Sequence, residues 1–170
     1  LLLILRRTVR LFGEESVRLS LIGPTTYWNP EYRKDLSAEI ANRKVESIVR
    51  FCEETHDIDT VYGEHDIFVT ASTGEPFGRS VAEAQAYGLP VVALRSGGIP
   101  EIVEHGKSGY LIEEGDTDAF AESVGRFIRH PKLVTIMGRR GRERMRRYFR
   151  KDIQISAALD FIQSEAKRAR

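Results

Sequence analysis

The sequence predicts an α/β protein built on a parallel β-sheet with helices on both faces and two further helices at its C-terminal end. Three observations carry that expectation. Short apolar runs of strand character alternate with helix-length segments along the 170 residues, and such alternation builds parallel sheets through right-handed crossovers. Residues 89–94 (LPVVAL) are apolar without interruption, as in a parallel strand covered on both faces. Glycines follow strands at Gly23, at Gly78 and at the Gly97-Gly98 pair. Ligand loops in parallel sheets lie beyond the carboxyl ends of the strands, so these glycines are expected to converge on one edge.

The elements follow in order. Residues 1–12 place Leu1, Leu5, Thr8, Val9 and Phe12 at helical spacing, with Gly13 as the stop. Residues 1–5 (LLLIL) read alone would serve equally as a strand. Residues 17–22 (VRLSLI) alternate and then turn fully apolar, a buried strand ended by Gly23-Pro24. Asn29-Pro30 reads as an N-cap followed by proline at the first helical position. The helix it opens is expected to reach about residue 44, with Tyr32, Leu36 and Ile40 on one face. A short strand over 47–52 and a short, weak helix over 58–64 lead to a strand over 66–72. A helix opens near Gly78 and stops at Gly88, which is placed for a left-handed C-terminal cap. After the strand 89–94 come a helical turn at 99–103 and a last strand at 110–112. Asp116 caps a helix that turns Phe120, Val124, Phe127 and Ile128 to the core and ends at Pro131. Helices over 133–149 and from 152 to about residue 167 complete the chain.

Residues 1–170 read as a single domain, long enough for a real core. Lys and Arg number 26 against 25 Asp and Glu, so no global charge argues for nucleic acid. One cysteine, Cys52, excludes a disulfide framework. The apolar start lacks the basic lead and cleavage site of a signal peptide, and no apolar run is long enough to span a membrane. The chain opens inside an apolar element without Met, the look of a trimmed sequence. His56, His65, His105 and His130 are dispersed and have no metal-ligand spacing. No nucleophile stands with a base, and no G-x-G-x-x-G follows a strand, which weighs against a nicotinamide enzyme.

The chemistry concentrates in residues 74–101 (GEPFGRSVAEAQAYGLPVVALRSGGIPE). Glu75 lies in the loop that leaves the apolar run 67–69, and Glu83 in the early turns of the helix after Gly78. Between them Pro76-Phe77-Gly78-Arg79 delivers the chain to a helix N-terminus with unpaired amides, an anion site at the positive end of the dipole. Val81, Ala82, Ala84 and Ala86 make the helix small and apolar nearly all round, so it is expected to be buried and Glu83 to need a partner. A phosphate between two acceptor groups matches a nucleotide sugar, with hydroxyl-bearing rings on both sides of its diphosphate. Gly78 is expected to leave room for a phosphate, and Gly97 and Gly98 to form a second approach loop or a plain strand-to-helix turn.

The strings EPFGRSVAEAQAYGLPVVA and SGGIPEIVEHGKSGYLI resemble the E-x7-E region of the retaining GT-B glycosyltransferases, family 4 in particular. The resemblance implies a Rossmann-like domain, the C-terminal half of a GT-B fold. Such a domain would bind a nucleotide sugar (UDP-, GDP- or ADP-linked) for retaining, hexosyltransferase-like transfer to a hydroxyl acceptor, as in polysaccharide biosynthesis. It implies Glu75 as the catalytic, sugar-binding carboxylate, Glu83 on the ribose, and the amides of Phe77, Gly78 and Arg79 on the diphosphate, with Gly97, Gly98 and Gly23 lining the donor site. No metal and no cofactor are implied, and a cytoplasmic location is expected. The family's first strand, with the Arg and Lys that clamp the diphosphate, would lie upstream of Leu1, as would the acceptor-binding N-terminal domain. The chain alone is therefore expected to transfer no sugar. The turn Gly23-Pro24-Thr25 is shorter in glycine than the family's. Two rivals stand beside this reading. A same-fold nucleotide-sugar 2-epimerase would be told apart by donor epimerised without acceptor, and a non-catalytic binding module by failure to bind any nucleotide sugar.

Residues 139–151 (RRGRERMRRYFRK) hold eight basic residues and one acidic. Val134, Met137, Gly141, Met145 and Tyr148 form an apolar stripe beneath them. The run reads as a solvated helix face or, more sharply, as a peripheral contact with anionic lipid at the inner membrane surface.

Overall fold

The computed structural model describes residues 1–23, 30–52, 55 and 57–168. The expected cap Asn29, the turn residues Pro24 and Thr25, the side chain of Tyr32 and His56 lie outside the described residues.

Among the described residues, five strands form two parallel sheets. In the first, β1 (Leu19–Ile22) pairs with β2 (Val49–Cys52), Leu19 opposite Val49 and Ile22 opposite Cys52. In the second, β4 (Val91–Leu94) runs between β3 (Phe68–Thr70) and β5 (Gly109–Ile112), so that Val91 stands opposite Phe68 and Gly109. The α/β class with parallel strands is as expected; the division into two sheets is a finding of the structure. Helices make the crossovers: α2 (Pro30–Asn42) within the first sheet, α3 (Ile58–Gly63) between the sheets, α4 (Arg79–Tyr87) and α5 (Ile99–Ile102) within the second. The chain opens with α1 (Leu2–Phe12) and closes with α6 (Thr117–Arg129), α7 (Lys132–Tyr148) and α8 (Lys151–Arg168).

Strand alternation sorts the core into two layers around the second sheet. Val91, Ala93 and Leu111 point to one side, where Val81, Ala84, Ile99, Ile102 and Met145 meet them. Val92, Leu94, Tyr110 and Ile112 point to the other, against Phe120, Val124, Phe127 and Ile4. Val91, Val92 and Ala93 are wholly buried, which explains the unbroken apolar run of β4. Each buried valine contributes on the order of 2 kcal/mol. A third layer joins Leu2 and Leu5 of α1 to Leu19, Ile40, Val45 and Ile48 beneath the first sheet.

Helix ends obey local chemistry. Asp116 accepts from the Ala119 amide at 2.9 Å and caps α6 as expected. Asp57 does the same for α3 through Thr60, whose hydroxyl and amide hold that carboxyl below its ordinary range. Gly88 closes α4 in the left-handed conformation, φ 89°. The expected strand over 66–72 shortens to β3, because only Phe68–Thr70 meet β4 in register.

Candidate functional site

The site is built where β3 ends. Glu75 is half-buried in the loop that follows, and its Oε1 accepts from the Gly78 N–H at 3.0 Å. The carboxylate thus closes its own loop onto the start of α4. Gly78 turns the chain into the helix with φ 91° and ψ 49°, a conformation that costs a residue with a Cβ roughly 1–2 kcal/mol. A Cβ there would also press to 3.3 Å on Ile99 and Ile102. The turn favours glycine here, and a side chain would also crowd the isoleucines of α5.

The second glycine loop is fastened to the first. The Gly98 N–H donates to the Glu75 carbonyl at 3.0 Å, and the Gly74 N–H to Ser96 Oγ at 2.6 Å. A Cβ on Gly97 would stand 1.8 Å from the Glu75 carbonyl oxygen, and one on Gly98 would stand 2.8 Å from the Pro76 carbonyl oxygen. Close approach of two backbones, one from each loop, explains both glycines. It also fixes the peptide that carries Glu75.

Past Gly78 the first intrahelical bond runs from the Ala82 N–H to the Gly78 carbonyl. The amides of Arg79, Ser80 and Val81 have no acceptor among the described residues, and they lie at the positive end of the helix dipole. One turn on, the Glu83 side chain is 42% exposed. Its Oε1 lies 3.5 Å from Arg79 Nε and its Oε2 lies 3.4 Å from the Tyr62 hydroxyl. The expectation of a buried α4 is corrected here. Val81, Ala84 and Gln85 are buried, but Arg79, Ser80, Ala86 and Tyr87 are exposed. Small residues on α4 do not hide it, because one stripe alone faces the sheet.

Arg79 pairs with Glu83 and not with Glu75, and its side chain is 88% exposed. The Phe77 ring is half-exposed, 6.4 Å from that of Phe149. Gly23 follows β1 in the other sheet, where its N–H donates to the Cys52 carbonyl at 3.3 Å. The structure brings Glu75, Phe77, Gly78, Arg79, Glu83, Gly97 and Gly98 together; no bond among the described residues ties Gly23 to them. Two residues escaped sequence reasoning. Ser96 clasps the Glu75 loop, and Tyr62 meets Glu83; neither carries a local signal beyond its residue type. Burial, and next the Glu83 charge, push the Tyr62 phenol up to about 12.

The basic run on α7 has work inside the fold. Arg142 donates to the carbonyls of Ala86 and Tyr87 at the end of α4. Arg144 donates to those of Ile102 and Glu101 at the end of α5, at 2.8 and 2.6 Å. Arg150 holds Asp152 at 2.7 Å. No helix among the described residues is long and apolar enough to cross a membrane.

Residues 5–144 match the family model of the glycosyl transferases group 1. The chain belongs to that family. It is 31% identical over 147 residues to the N-acetyl-alpha-D-glucosaminyl L-malate synthase of Bacillus anthracis, covering 86% of this chain and 37% of that protein. The D-inositol 3-phosphate glycosyltransferase of Saccharomonospora viridis is 33% identical over 121 residues, covering 70% of this chain and 27% of that protein. Among solved structures, Anabaena HepE in complex with UDP-glucose superposes with a TM-score of 0.80 at 26% identity, over 95% of this chain and 44% of that one. The chain therefore shares its α/β fold with part of the GT-B glycosyltransferases and spans less than half the length of these three relatives.

Proposed function

We propose that this chain binds the nucleotide-sugar donor of a retaining, family 4 glycosyltransferase. The whole protein would move a glycosyl unit from a nucleoside diphosphate to a hydroxyl acceptor. One observation carries the reading: Glu75 and Glu83 stand on either side of an α4 N-terminus whose amides at 79–81 have no protein acceptor among the described residues. The diphosphate binds those amides. There the dipole stabilises the charge that grows on the leaving group as the glycosidic bond breaks, without reorganisation at that moment. Glu75 receives sugar hydroxyls on the oxygen that Gly78 leaves unused. Glu83 receives the ribose diol. The Arg79 side chain gives way at little cost, since an exposed ion pair contributes roughly 0–1 kcal/mol. HepE, the neighbour in complex with UDP-glucose, makes a UDP-sugar the first ligand to try.

Calorimetric titration with free UDP and with a UDP-hexose tests the division of roles. Glu83→Ala should weaken both ligands, because both carry ribose. Glu75→Ala should weaken the UDP-hexose and leave UDP nearly unchanged. A hydrogen bond to a charged group contributes roughly 1.5–3 kcal/mol, so each loss should be about ten- to a hundredfold in Kd. Equal losses on UDP from both substitutions would show the roles to be wrongly divided, and no loss from either would remove the site.

A further inference from the structure

Resting on that reading of the site, we propose that Tyr62 is a positioning residue, which holds the Glu83 carboxylate where the ribose of a bound nucleotide must find it. Tyr62 belongs to α3, outside the glycine loops, and is 8% exposed. Its ring has one available place. It stacks on Tyr87 with centroids 4.9 Å apart and planes at 25°, and it lies tilted against Phe68 at 6.5 Å. The Tyr87 hydroxyl in turn donates to Asp59, so α3 and α4 are joined on both sides of the stack. From this fixed ring the Tyr62 hydroxyl emerges on α4, 3.4 Å from Glu83 Oε2 and 3.4 Å from the Ser80 carbonyl.

One phenolic proton faces two acceptors, and an ionised carboxylate is the stronger of them. The raised pKa of Tyr62, whose first cause is burial, leaves the phenol a donor throughout the neutral range. Glu83 needs such an anchor. It is a flexible side chain, 42% exposed, and its other neighbour, Arg79, is itself 88% exposed. An exposed arginine holds a carboxylate poorly, because both side chains keep their rotamer freedom. A two-point bond to a diol requires both carboxylate oxygens in one plane and one place. Tyr62, locked by packing, supplies the fixed end, and immobilising Glu83 before the ligand arrives lowers the ordering cost of binding.

The test uses Tyr62→Phe, which keeps the stack and removes only the hydroxyl. UDP, GDP and ADP are titrated into the protein by calorimetry, and the one that binds is compared with its dideoxyribose counterpart. Tyr62→Phe is expected to weaken the ribonucleotide roughly three- to tenfold, the effect of one hydrogen bond, and to leave the dideoxy compound unchanged. In a Glu83→Ala background the substitution should cost nothing further, since the two residues act as one unit. Equal losses on both compounds would reduce Tyr62 to a packing role and overturn the proposal. Unchanged ribonucleotide binding in Tyr62→Phe would overturn it as well while leaving the donor site standing. Failure of the unsubstituted protein to bind any of the three nucleotides would remove the site itself, and this proposal with it.

Discussion

At Gly97 a Cβ would stand 1.8 Å from the Glu75 carbonyl oxygen, on a backbone whose φ is +51°. The obstacle is main chain and cannot rotate away. Gly97→Ala should therefore cost on the order of 2–4 kcal/mol in denaturant unfolding and loosen the proposed donor site together with it. Gly63 in α3, with no positive φ and nothing within 4 Å of its Cβ position, is the control: Gly63→Ala should cost nothing measurable, since alanine is the better helix former. Comparable losses at the two positions would mean that the loops are not held by this contact. Tyr62 makes a second residue-level prediction. Its phenol titrates near 12 in the fold against an ordinary value of 10, so over that interval the native state keeps a proton the unfolded chain has released. Stability from this group is whole below pH 10 and is lost as pH rises towards 12. Unfolding measured across that window should fall less steeply for Tyr62→Phe than for the unsubstituted chain.

At the scale of elements, α4 and α5 both end on carbonyls taken by α7. Arg142 reaches Ala86 and Tyr87, and Arg144 reaches Glu101 and Ile102. A cation at a helix C-terminus also meets the negative end of the dipole. Arg144→Ala should destabilise the protein by roughly 1.5–3 kcal/mol, the range for hydrogen bonds made by a charged group. Arg146→Ala, on the exposed face of the same helix, should stay within about 0.5 kcal/mol. Thermal unfolding of the two variants decides it. Equal effects would mean that the run acts by bulk charge and not by capping. The same element explains Gly138, where a Cβ would stand 1.8 Å from the Gly88 carbonyl, so α7 can lie directly on the cap of α4.

Across the whole molecule, the two sheets are joined by packing and not by a ladder. Val69 of β3 touches the layer of Leu19 and Leu5 as well as its own sheet's core. Among the described residues β1 pairs only with β2, and β3 only with β4. Each therefore offers one side as an unpaired parallel edge, which is a template for further strands. α8 adds apolar surface, with Leu159, Phe161 and Ile162 more than half exposed. The chain is expected to self-associate as its concentration rises. Light scattering that reports a monomer over the whole accessible range would count against this.

The order and type of most elements, the caps at Gly88 and Asp116, and membership of the glycosyl transferases group 1 were legible in the sequence, because periodicity, capping and turn chemistry act between near neighbours. What lay further apart was settled by the tertiary structure alone. Tyr62 meets Glu83 across 21 positions, Arg144 reaches Ile102 across 42 and Arg142 reaches Ala86 across 56. No local pattern encodes such pairs. The glycines at 97 and 98 were visible as a loop, but the reason for them is a backbone that returns from the end of another strand. The exposure of α4 is hidden from the sequence for the same cause. Which stripe of a helix is covered depends on what the rest of the chain lays against it, and alanines are equally at home on either side.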